Sequence, residues 1–195
     1  MSIRLHKSRL SGATPAKLIK ENINLGLDVK KLYESKDFYY KDLKIAETIG
    51  RIIRDCNGTL GASGKIKNGC LYREYGLPEI WTKDSKIEEI CDHAIPVTTL
   101  VKQHLDGHVA LEKLIFSPVV RLSKIKNDEL TRRGYAKKIE EEGISFPLHR
   151  YKHVEITLIT HLGETVDPAT WTDEDHWRLV KSTKELEDIL HELKL

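Results

Sequence analysis

Ile87-Glu88-Glu89-Ile90-Cys91-Asp92-His93-Ala94-Ile95-Pro96-Val97 is the stretch on which the reading of this chain turns. Its opening run, residues 87–90, reads as a short strand. The run breaks into a polar pair, Asp92-His93, and is stopped by Pro96, which has no N–H to give to a ladder. Further on, Pro118-Val119-Val120-Arg121-Leu122 is a second apolar, β-branched run and predicts a second strand. Ser123 follows as a helix N-cap, and the helix it opens carries Asn127. Two strands and a helix thus bring an Asp, a His and an Asn toward one place. A divalent metal and a general base need that sort of cluster.

The flanks supply helices. Between the two strands, Leu100, Val101, Leu105, Val109, Leu111 and Leu114 predict a helix, or a helix pair broken at Asp106-Gly107. Gly134 is placed to end the Asn127 helix. Residues 153–160 alternate Val154, Ile156 and Leu158 with Glu155 and Thr157, as a half-buried strand does. Thr172 precedes Asp173-Glu174-Asp175, a first helical turn whose dipole favours acids. Ser182-x-x-Glu185 is a capping-box pattern opening a last helix, with Leu186, Ile189, Leu190 and Leu193 on one face. Toward the start, Thr14-Pro15 is a helix opening and residues 42–55 carry the clearest N-terminal helix. The glycine-rich, basic loop 57–69 lacks the Gly-Lys-Ser/Thr ending of a phosphate-binding loop. The whole predicts one α+β domain, mainly helical. Residues 1–60 form a basic arm and helices, 61–160 the central unit, and 161–195 acidic helices packing on it.

Composition narrows the function classes. In 195 residues, 39% apolar and 32% charged side chains describe a soluble globular chain. No run approaches the ~18–20 apolar residues of a membrane span, so no membrane partner is expected. Residues 1–7 lack the apolar stretch of a secretory leader, which predicts a cytoplasmic protein. Cys56, Cys70 and Cys91 include no Cys-x-x-Cys, so neither a disulfide framework nor a structural zinc is expected. The net charge of +2 is unevenly spread: residues 1–20 hold five bases and no acid, while 161–195 hold nine acids against four bases. A basic front and an acidic back suggest that the front faces nucleic acid.

Phosphodiester hydrolysis needs an activated water, charge neutralisation on the phosphate and help for the leaving oxygen. A hard cation on oxygen ligands supplies the last two. A neutral His supplies the first. Asp92, His93 and Asn127 offer these roles. Asp92-His93-x-x-Pro96, a second strand, then Ser123 and Asn127 on a helix resembles the HNH, or ββα-metal, nuclease motif. More narrowly, His93-x-x-Pro96-Val97, Leu122-Ser123-x-x-x-Asn127-x-x-Leu130-x-x-x-Gly134 and Pro147-x-x-Arg150-Tyr151 resemble a group of HNH-like phage proteins, over about residues 80–151.

The resemblance implies a ββα-metal core (strand-strand-helix), here embedded in a mainly helical single domain; the helical insertion between His93 and Asn127 departs from the short loop of many family members. It implies His93 as general base, Asp92 and Asn127 as ligands of Mg²⁺ or Mn²⁺, and DNA as substrate, in a phage-encoded or bacterial setting. A homodimer, which would let both strands be cut, stays open. Arg150 is the foremost phosphate contact, since a guanidinium binds phosphate bidentately. Arg121 is a second, or else a strand residue paired to an acid. Arg4, Lys7 and Arg9 would make backbone contacts blind to base sequence.

Rival readings remain open on the residues alone. One is a non-catalytic nucleic-acid-binding protein using the basic front; another is an interaction protein docking through its last helix. His104 and His108 are four apart, as metal ligands often are, but Asp106-Gly107 between them predicts a break and no site. Asp175-His176, in an acidic helix start, reads as solvated surface.

Overall fold

The computed structural model describes residues 17, 20, 21, 24, 70–82, 84–136 and 145–194. Its centre is a five-stranded mixed sheet of order β2-β3-β1-β4-β5. The strands are β1 (Tyr72–Glu74), β2 (Glu89–His93), β3 (Val119–Ser123), β4 (Leu158–Thr160) and β5 (Thr165–Val166). β1 and β3 run parallel, and the other neighbours are antiparallel. β3 is buried along its whole length, as expected of a strand flanked on both sides.

The first strand lies two residues later than the sequence suggested. It takes in Cys91, Asp92 and His93 instead of ending before them, because its partner β3 offers pairing positions from Ser123 (opposite Glu89) to Val119 (opposite His93). Ile87 is left outside it, 42% exposed. The strand expected over 153–160 is shorter, since His153 belongs to a 3-10 turn (His149–His153) and only Leu158–Thr160 joins the sheet.

Among the described residues from 70 onward, five α-helices accompany the sheet, and sequence-local signals set most of their ends. α1 (Val97–Leu105) begins after Pro96 and stops at Asp106-Gly107, where Gly107 adopts φ +80°. α2 (Leu111–Ile115) follows, so the broken-pair alternative is the one adopted. α3 (Lys124–Arg132) is capped by Ser123, whose Oγ accepts from the Lys126 N–H, and Gly134 at φ +85° terminates it. α4 (Asp173–Ser182) opens with a full capping box between Thr172 and Asp175. α5 (Lys184–Leu193) does not start as predicted. Ser182 is the last residue of α4 and donates to the Leu179 carbonyl. Buried Thr183 makes the junction, donating 2.7 Å to that same carbonyl. The apolar face of α5 does belong to the core: Leu186 and Ile189 are buried in it and Leu190 and Leu193 pack against it. Among the described residues, no helix is long and apolar enough to cross a membrane.

Most of the core lies on one side of the sheet. Tyr72, Val120, Leu122 and Leu158 point into it from the strands, meeting Leu130 of α3, Tyr151 of the 3-10 turn and Leu179 of α4. A hydrogen-bonded chain runs through this core. The Trp171 indole N–H donates 3.1 Å to the Tyr72 oxygen, whose O–H faces His176 Nδ1 at 2.8 Å. His176 Nε2 stands 2.7 Å from the Phe116 carbonyl. One assignment satisfies every atom: a neutral imidazole donates from Nε2 to Phe116 and accepts the Tyr72 proton at Nδ1. His176, expected at the surface, is therefore buried. Asp175 caps the helix at the surface, and the ~100° step per residue of a helix turns its neighbour inward.

Desolvation lowers the His176 pKa to about 4, against 6.5 for an ordinary imidazole. Between those values the unfolded chain binds a proton that the folded one refuses, so stability falls as pH falls from 6.5 toward 4. The loss should reach on the order of 3 kcal/mol from this group alone. Urea denaturation at pH 7 and pH 4 measures it, with NMR titration of the His176 ring showing a neutral imidazole until about pH 4.

Candidate active site at the end of strand β2

Asp92 and His93 are the last two residues of β2, and adjacent strand residues point to opposite faces. Asp92 faces the main core, where its Oδ2 accepts from the Tyr151 phenol at 2.8 Å and from the Arg150 guanidinium. Among the described residues no donor reaches Oδ1, and the side chain is 19% exposed. One oxygen is thus committed to the fold and the other is available. Burial raises the Tyr151 pKa well above its ordinary value, and the nearby Asp92 charge reinforces this, so the phenol stays a donor.

Arg150 is 6% exposed and also donates to the carbonyls of Tyr135 (3.3 Å) and Ala136 (3.0 Å). Its fork binds β2 to the segment leaving α3. The sequence suggested a phosphate contact for Arg150; in the fold its guanidinium holds the Asp92 carboxylate and two carbonyls.

Asn127 lies on α3, half-buried, three residues before the buried Leu130 and so on the same sheet-facing side of the helix. Since Leu130 and Tyr151 share one core cluster, α3 covers the face to which Asp92 points. His93 is half-buried on the other face, the side of Glu89 and Cys91, opposite Val119 across the ladder. The fold therefore gathers Asp92, Arg150 and Tyr151 into contact and sets Asn127 on the same side. His93 stands across the strand.

The donor chemistry can be tested against a hard cation. Mg²⁺ takes oxygen ligands and is held through one or two carboxylates plus substrate phosphate and water. The open Asp92 Oδ1 and the Asn127 amide oxygen are donors of that kind. Among the described residues, no three His, Cys, Asp or Glu side chains group as a ready-made metal site. His104 Nδ1 instead lies 2.7 Å from the Val109 carbonyl, closing the turn between α1 and α2, and His108 is exposed.

Arg121 sits on the His93 face, cross-strand from Cys91. Its Nε lies 3.0 Å from Glu89 Oε2, with side-chain exposures of 2% and 0%. It also donates to the Glu79 carbonyl at 3.2 Å and to the Pro78 carbonyl, pinning that loop to the sheet. Desolvation pulls the Arg121 pKa down and the Glu89 charge opposes it. Arg121 is therefore not exposed to a phosphate; its alternative reading, a strand residue paired to an acid, is the one realised. Glu89 carried a signal: two residues before Cys91 places it on the face that Arg121 shares. Arg4, Lys7 and Arg9 lie outside the described residues.

The 3-10 turn adds groups that the sequence gave no cause to single out. His149 is buried, with Lys152 Nζ at 2.7 Å from its Nε2, and His153 stacks on Tyr135 at a ring separation of 3.8 Å. No protein-family model, curated protein or solved structure matches this chain.

Replacing Arg121 with Met should lower stability by about 3–5 kcal/mol, since Glu89 would be left as an uncompensated buried charge. Urea unfolding at neutral pH measures this. A substituted phosphate contact would leave the unfolding midpoint unchanged.

Proposed function

We propose that the chain is a metal-dependent endonuclease of the HNH-like kind, hydrolysing DNA phosphodiester bonds. The observation that carries the reading is the order of elements around Asp92-His93. The pair ends the first strand of an antiparallel couple whose second strand runs straight into a Ser-capped helix bearing Asn127. A base on one face and a ligand on the other can address a single phosphate only where the strand stops, and there the pair sits.

In this reading His93 takes the proton from the attacking water. Asp92, through Oδ1, and Asn127, through its amide oxygen, would hold Mg²⁺ or Mn²⁺, which would supply charge neutralisation for the phosphate and the departing 3′ oxygen. Arg150 and Tyr151 act one step back, fixing the carboxylate so that a defined oxygen faces outward. Removing a general base costs about 10²–10⁴-fold in rate.

Supercoiled plasmid should be nicked with Mg²⁺ or Mn²⁺ and left intact in EDTA. His93→Ala should cut at least ~10²-fold more slowly, and Asp92→Asn or Asn127→Ala should need more metal for the same rate. Nicking that survives His93→Ala would remove the proposed base. DNA binding without cutting in any metal would leave a non-catalytic nucleic-acid-binding protein in its place.

A further inference from the structure

We infer that Cys70 and Cys91 are a reversible redox pair, joined into a disulfide by a small-molecule disulfide such as oxidised glutathione. The two sulfurs lie 3.5 Å apart, and both residues are half-buried. A disulfide needs the sulfurs at ~2.05 Å, so about 1.5 Å of approach closes the bond. The placement of the two residues makes that approach feasible. Cys91 is fixed by its register opposite Arg121, whereas Cys70 precedes β1 and belongs to no strand, so Cys70 is the partner that gives.

The exchange is balanced. One cysteine sulfur attacks a sulfur of the oxidant and expels one small thiolate; the second attacks the resulting mixed disulfide and expels the other. Two electrons pass to the oxidant, and the two cysteine protons end on the two released small thiols. The new bond clips the approach to β1 onto β2 across β3, and it pulls on the residue immediately before Asp92. The thiol state is thereby felt at the end of β2. The bond itself does not depend on the nuclease reading.

The test uses the full chain, treated with oxidised glutathione, alkylated and digested with trypsin. The expected product is residues 68–73 linked to 87–102, with the intact mass reduced by two hydrogens, both reversed by dithiothreitol and absent in Cys70→Ser. Separate glutathione adducts on Cys70 and Cys91, unmodified thiols at both, or a link from either to the peptide 55–65 would overturn the pairing. In amide NMR spectra, the Asp92 and His93 signals should move between reduced and oxidised wild type and stay still in Cys70→Ser. Unmoved signals in an oxidised, linked protein would overturn the coupling to the strand end.

Discussion

The register between β2 and β3 is the constraint from which the rest follows. With Glu89 opposite Ser123 and His93 opposite Val119, every second side chain of β2 is assigned to a face. Asp92 goes to the core that holds Tyr151, and Glu89, Cys91 and His93 go to the side that holds Arg121. A slip of one residue would exchange the two sets. Asp92 would lose its two donors, Glu89 would turn into the apolar core, and the fully buried Arg121 would lose its Glu89 partner. The register is thus held by specific charges as well as by apolar pattern.

Those charges are costly to bury, and each is answered. Glu89 and Arg121 neutralise each other within the sheet, and Arg121 spends further donors on the Pro78 and Glu79 carbonyls. Asp92 is answered by a guanidinium and a phenol contributed by consecutive residues of a 3-10 turn. Desolvating two ions often offsets their mutual attraction, so such pairs add little net stability compared with apolar packing. Their effect here is on arrangement. They tie the Pro78 loop to β3, and the segment after α3 and the 3-10 turn to β2, where they orient the carboxylate proposed to bind metal.

Much of this was legible in the sequence where the signal is local. Ser123, Gly134, Thr172 and Asp106-Gly107 marked helix ends correctly, because caps and positive-φ turns are set by a few neighbouring residues. The α+β class and the second strand were readable for a similar reason. What was not legible depends on distant partners. The first strand was placed two residues early, since β3 decides its window. His176 looked solvated beside three acids, because Tyr72 and Phe116, which bury it, are remote in sequence. Ser182 looked like a cap until Thr183 took the junction. At the candidate site, the strand-strand-helix order was foreseen. For Arg121 a pairing with an acid stood as one of two alternatives; that Arg150 would be spent on a carboxylate was not foreseen, since an Arg in sequence looks the same whether it meets a phosphate or an acid.

One feature of the sheet bears on how the chain is made. β1 is the first described strand to leave the ribosome, yet it lies in the middle of the sheet, with Tyr72 paired to Val120 on one side and Thr160 on the other. Its second hydrogen-bonding edge stays unsatisfied until β4 has been translated, so this central strand waits for partners far along the chain although it precedes the other described strands. Closing such distant pairings is slow compared with forming local helices. For that interval the nascent chain carries a bare β edge beside a growing apolar surface, which is where a holding chaperone would find something to grip.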